Sequence, residues 1–106
     1  MDGRCKIELL GWLRAEQGDR AIARFPTHKT GALLAYLAYY RHRSHPREIL
    51  AEMLWPAEES HLGRHSLRMA LCSLRRQLEP PGVPAGSVLL ADRSTMQLNP
   101  SAVSTD

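Results

Sequence analysis

Arginine is the residue with which this sequence offers most chemistry, and its spacing late in the first two thirds of the chain is the pattern to explain first. Between His61 and Leu78 stand Arg64, Arg68, Arg75 and Arg76, with no acid among them. Projected at about 100° per residue, Leu67, Leu71, Leu74 and Leu78 fall on one narrow stripe with Ala70 beside it, and that stripe must face a core. His65, Met69, Cys72, Ser73 and Arg76 fall opposite, while Arg64, Arg68 and Arg75 line one flank. A guanidinium is a permanently charged planar fork that matches phosphate oxygens and the guanine edge alike. Arginines also make ordinary surface helices soluble, but such faces mix both signs of charge.

Other chemistries find less support. His61 and His65 are spaced as two metal ligands on a helix can be, but Leu62 and Gly63 stand between them, so the glutamate of a His-Glu-x-x-His site is absent. The chain has no Gly-rich phosphate loop, no strained serine elbow and no Cys-x-x-Cys pair. Metal binding or an enzymatic role therefore has no ligand set or nucleophile to rest on. No catalytic residue, no metal site and no cofactor is assigned. Cys72 reads as a small packing or contact residue on the outward crest, since nothing in its surroundings marks a redox thiol.

The elements that position these groups follow from patterning. At 106 residues, with 43% hydrophobic and 24% charged content, the chain fits one domain able to bury a core without staples, so Cys5 and Cys72 need not be bridged. Lys6–Leu13, broken at Gly11, and Ala21–Phe25 are strand candidates about a turn at Gln17-Gly18-Asp19, predicting a small antiparallel sheet over 5–25. Thr27 is placed to cap a helix over 29–41, and Pro46 to begin a second over 47–54 with Ile49, Leu50, Met53 and Leu54 on one face. A third helix over 59–78 has Glu58 and Glu59 at its positive end and stops before Pro80-Pro81-Gly82. Ser87–Ala91 and Thr95–Leu98 flank Asp92-Arg93-Ser94 as a hairpin over 87–99.

Charge is segregated along these elements. The net charge is only +3, yet Arg20, Arg24, Lys29, Arg41, Arg43 and Arg47 fall in a second stretch free of acids. The acids lie between and beyond, at Glu48, Glu52, Glu58, Glu59 and Glu79. Segregated positive charge suits a polyanion such as nucleic acid, although a solvated basic surface gives the same count. Nothing approaches the roughly 18 apolar residues of a membrane span, and charges come too early for a signal peptide. A cytoplasmic protein with free thiols, not attached to a membrane, is the expectation.

Two short helices, a longer basic helix and a hairpin satisfy the outline of a helix-turn-helix with a wing. The residues also carry a resemblance. The run from His65 to Leu78 is similar to the recognition helix of OmpR/PhoB-type winged helices, above all those of SARP-like regulators with a bacterial transcriptional activator domain. Supporting stretches run from Lys29 to Ala38, over Leu54-Trp55-Pro56, and from Leu89 to Arg93, followed by Leu98-Asn99-Pro100. Together they span nearly the whole chain.

The resemblance implies an α+β winged helix-turn-helix over 1–106, with an N-terminal antiparallel sheet, three helices and a C-terminal β-hairpin wing. It implies a bacterial transcription regulator that binds double-stranded DNA, on direct repeats, with the third helix in the major groove and the wing toward the minor groove. Contact with RNA polymerase, and a helical activator domain following in a longer protein of which this chain is a fragment, are further implications. The DNA-binding residues expected are Arg64, His65, Arg68, Met69, Cys72, Ser73, Arg76, Arg93 and Trp55. Relatives carry basic residues where Cys72 and Ser73 stand, so their base contacts do not transfer. Trp55 matches a tryptophan whose indole N–H can reach a phosphate, and it equally suits an anchor closing the helix junction. A winged helix used for protein–protein contact remains the alternative, because a fold does not dictate its partner.

Overall fold

The computed structural model describes residues 5–9 and 13–105. Strand β1 (Cys5–Glu8) alternates as a half-buried strand should, with Cys5 and Ile7 inside and Lys6 in solvent. β2 (Arg14–Gln17) pairs antiparallel to it, Ile7 opposite Ala15, and turns through Gly18 into β3 (Arg20–Ile22). Gly18 has φ +61°, a conformation that glycine adopts without a Cβ clash. The last strand, β7 (Val103–Thr105), returns to pair parallel to β1, giving the order β3-β2-β1-β7.

The antiparallel sheet expected over 5–25 is present as β1, β2 and β3, and the parallel pairing of β7 to β1 makes the whole a mixed sheet, which the sequence did not announce. The segment Lys6–Leu13 is not one strand, since β1 ends at Glu8 and a strand not anticipated begins at Arg14; Gly11 lies outside the described residues. The strand expected over Ala21–Phe25 starts at Arg20 and stops at Ile22.

Helix α1 (His28–Tyr39) begins where Thr27 Oγ1 accepts the Thr30 N–H at 3.1 Å, and it buries Leu33, Leu34, Leu37 and Ala38. Gly31 is buried where a Cβ would come within 3.3 Å of the Phe25 ring, so the helix approaches that ring closely. α2 (Arg47–Leu54) follows β4 (His45–Pro46), a short strand paired antiparallel to Thr95 and Met96. Pro46 therefore caps α2 from an extended conformation rather than starting it. Only Leu50 and Ala51 of α2 are buried; Ile49 and Met53, expected on the core face, are exposed.

α3 (Ser60–Leu78) buries Gly63, Leu67, Ala70, Leu71, Leu74 and Leu78 along one stripe. Glu58 and Glu59 precede it instead of occupying its first turn, and the N-cap, Glu59, makes no side-chain capping bond. At its other end the N-terminal sheet satisfies the last carbonyls: Gln17 Nε2 donates to Leu78 O and Arg20 to Gln77 O, each at 2.6 Å. The hairpin of β5 (Leu89–Ala91) and β6 (Thr95–Leu98) completes the second sheet, ordered β4-β6-β5, and contributes Leu89, Met96 and Leu98 to the core.

The described residues form a compact α+β domain with three helices and two sheets about one core, and a Cα radius of gyration of 13.0 Å. Among the described residues no helix is long and apolar enough to cross a membrane.

Candidate nucleic-acid interface

The stripe that seats α3 in the core leaves its opposite face in solvent. Arg64, His65, Arg68, Met69, Cys72 and Arg76 are exposed, and Ser73 is half-buried at the edge of that face. Two concavities flank its crest, and a third, about 470 Å³ and lined by Glu48, Glu52 and Glu58, meets the face at Arg64. The larger of the flanking two, about 660 Å³, lies between α3, the start of α2 and the hairpin turn, and it is lined by Arg47, Glu48, Arg64, Arg68 and Arg93 together with His61 and His65. The smaller, about 300 Å³, lies between α3 and the start of α1 and is lined by Thr27, Lys29, Trp55, Met69 and Ser73, again with His65. His65 lines both, so it stands on the crest that divides them.

The fold thus brings Arg64, Arg68 and Arg93 into one basic concavity, although Arg93 comes from the hairpin turn and the other two from α3. Met69, Ser73 and Trp55 gather on the other side, and Cys72 and Arg76 border neither concavity. Arg75, which the projection put in line with Arg64 and Arg68, is engaged elsewhere. Its Nη1 donates to Glu79 at 2.6 Å and to Leu89 O at 3.4 Å.

Arg47 was not singled out from sequence beyond its place in a basic stretch. It reaches the concavity because its backbone N–H donates to Ser94 O at 2.8 Å, tying the start of α2 to the hairpin turn. The only signal was its position after Pro46; the pairing of β4 with β6 is a tertiary event.

Electrostatics within the larger concavity are one-sided. Glu48 is the sole acid there, and it approaches Arg64 only to 3.9 Å with both side chains largely in solvent. Exposed pairs of this kind hold neither partner firmly. At the turn, Asp92 Oδ1 accepts the Ser94 and Thr95 N–H groups, each at 2.8 Å, and the Thr95 hydroxyl at 3.2 Å. Those bonds, the backbone N–H of Thr95 first, hold the Asp92 carboxyl below the usual range, with Arg47 adding to the effect.

Trp55 makes two contacts at the helix junction. Its backbone N–H closes α2 on Ala51 O, and the Lys29 ammonium lies 5.6 Å from the centre of its ring while donating to Leu54 O. Cys72 is exposed and free; Cys5 is free but buried, and burial pushes its thiol up to about 11, with Arg20 pulling the other way. His61 Nδ1 faces Glu59 at 3.6 Å, and His65 Nδ1 faces Arg68 at 3.5 Å. Among the described residues no group of three or more His, Cys, Asp or Glu is placed to hold a metal ion.

No family model, no curated protein and no solved structure matches the chain.

Proposed function

We propose that this chain is a sequence-specific double-stranded DNA-binding domain of the winged helix-turn-helix class, with α3 in a major groove and the β5–β6 hairpin as the wing toward the adjoining minor groove. The observation that carries the reading is the concavity where Arg47, Arg64, Arg68 and Arg93, from α2, α3 and the hairpin turn, converge with one acid between them. An open basic cleft of this kind fits a phosphate backbone, whereas small-molecule sites are mostly apolar and enclosed.

The exposed crest of α3 supports the same reading. A helix of 19 residues is about 28 Å long, and the major groove, roughly 12 Å wide, admits it with the crest at the base edges and a flank on a phosphate strand. His65, Met69, Cys72, Ser73 and Arg76 are then placed to meet bases, and Arg64 and Arg68 to meet phosphates. The resemblance of the sequence extends the proposal to a bacterial transcription regulator that acts on direct repeats and contacts RNA polymerase.

The test is fluorescence anisotropy with labelled duplexes. Binding is expected at low salt, weak on one half-site and tighter on two half-sites about one helical turn apart, with affinity falling steeply as salt rises. Negligible affinity for every duplex at about 50 mM salt would reject the reading and leave protein contact as the use of this surface.

A further inference from the structure

We propose that Arg47 is a phosphate-contacting residue and that Asp92 positions it together with Arg93, so that the hairpin turn and the start of α2 form a preset seat for a phosphodiester strand. The proposal rests on the DNA-binding reading and goes beyond it, because it gives an acid beside a basic cleft a constructive role.

Arg47 is anchored at its root, and its end feels the charge of Asp92 without being bonded to it. Its N–H is bound to Ser94 O at 2.8 Å, which places its Cα against the hairpin turn. Its Nε is buried with no hydrogen-bond partner, and among the described residues its side chain makes no ion pair within 4.0 Å. Arg47 is half-buried on the wall of a cleft shared with Arg64, Arg68 and Arg93, so the outer nitrogens of its guanidinium are placed to meet an anionic oxygen there.

Asp92 determines where Arg93 and Arg47 meet. Its Oδ1 takes two backbone N–H groups and a hydroxyl from the turn in which Arg93 is the residue between. The same turn supplies Ser94 O to Arg47. Losing the carboxylate therefore loosens both arginines at once. Glu48 differs: it sits in the first turn of α2, reaches Arg64 only to 3.9 Å and takes none of the N–H groups of the hairpin turn that Asp92 holds. The two acids should then act on a polyanion with opposite signs. Removing Glu48 takes a repulsive charge out of the cleft, and removing Asp92 takes away the scaffold of the cleft, although both changes make the protein more positive.

The experiment is a salt titration of anisotropy on a selected high-affinity duplex and on one of scrambled sequence, with a thermal melt of each variant. Glu48→Gln should tighten both duplexes about threefold. Arg47→Ala should weaken both alike, about tenfold, and lower the salt slope by roughly one unit. Asp92→Ala should weaken both in the same way and lower the slope, whereas Asp92→Asn, which keeps the Oδ1 acceptor, should lie nearer the parent. In an Arg47→Ala, Arg93→Ala background Asp92→Ala should no longer weaken binding. A merely structural Asp92 would lower the melting temperature and leave the slope of the folded fraction unchanged. Asp92→Ala binding as tightly as the parent or more so, or weakening that persists in the double background, overturns the proposal. So does an Arg47→Ala loss confined to the selected duplex, which would make Arg47 a base reader. A parent that binds neither duplex overturns the DNA-binding reading itself; a parent that binds beside a neutral Asp92→Ala overturns only this inference.

Discussion

Replacing Glu79 by alanine is expected to cost about 2–4 kcal/mol of stability, because it breaks a part-buried ion pair and strands the buried N–H groups around the carboxylate. The Glu79 side chain is 2% exposed. Its Oε2 accepts the N–H groups of Gly86, Val88 and Leu89 at 3.0, 2.9 and 2.8 Å, and its Oε1 accepts Arg75 at 2.6 Å. One carboxylate thus fastens the end of α3 to the loop and strand that lead into the hairpin.

Desolvation pushes the Glu79 carboxyl upward, but the N–H groups of Leu89, Val88 and Gly86 together with Arg75 outweigh it and hold the folded value below the ordinary one. Its stabilising effect is therefore complete above the ordinary carboxylate range and fades as pH falls through the lowered folded value. Glu79→Gln keeps an acceptor and loses the charge, so it should cost less than alanine at neutral pH. Denaturant unfolding across the acid range should bring parent and Glu79→Gln together as the pH drops. A gap between them of equal size at neutral and acid pH would refute the account.

That fastening also shows where sequence patterning stops being informative. The leucines of α3 announce themselves at helical spacing, and each of Leu67, Leu71, Leu74 and Leu78 is buried. Trp55-Pro56 marks the end of α2 because the residue before a proline avoids helical backbone. Ile49 and Met53 mislead for a physical reason: the short α2 turns Leu50, Ala51 and, in part, Leu54 against the core, and that contact is too narrow to take in Ile49 and Met53 as well. β4 and β7 carry no local signal, since each is a strand only by virtue of a partner far along the chain. The candidate site divides along the same line. The arginines of α3 are legible from spacing, but the convergence of Arg93 and Arg47 on them depends on β4–β6 pairing, and the withdrawal of Arg75 depends on Glu79.

The combined substitution of Arg64 and Arg68 by alanine is expected to lower affinity for every duplex, about fiftyfold to a hundredfold at moderate salt, and to reduce the salt slope by roughly two units. Both side chains are exposed on α3 and line the basic concavity, and with Arg75 held by Glu79 and Leu89 they are the flank of α3 that remains free to meet phosphates. Phosphates carry no sequence information, so discrimination between sites should survive the change. Arg76 and His65 lie on the crest instead, and a lost guanine contact there should cost about 1–3 kcal/mol on the preferred site and relax preference at one base pair. Stability separates the two effects from unfolding. None of these residues is on the buried stripe, whereas Leu74→Ala, at a fully buried position, should cost about 2–5 kcal/mol. Measured over a panel of single-base changes, a uniform loss for the flank variant and a one-position loss for Arg76→Ala is the expected pattern. A flank variant that loses preference at a single base pair would exchange the two roles and turn α3 in its groove.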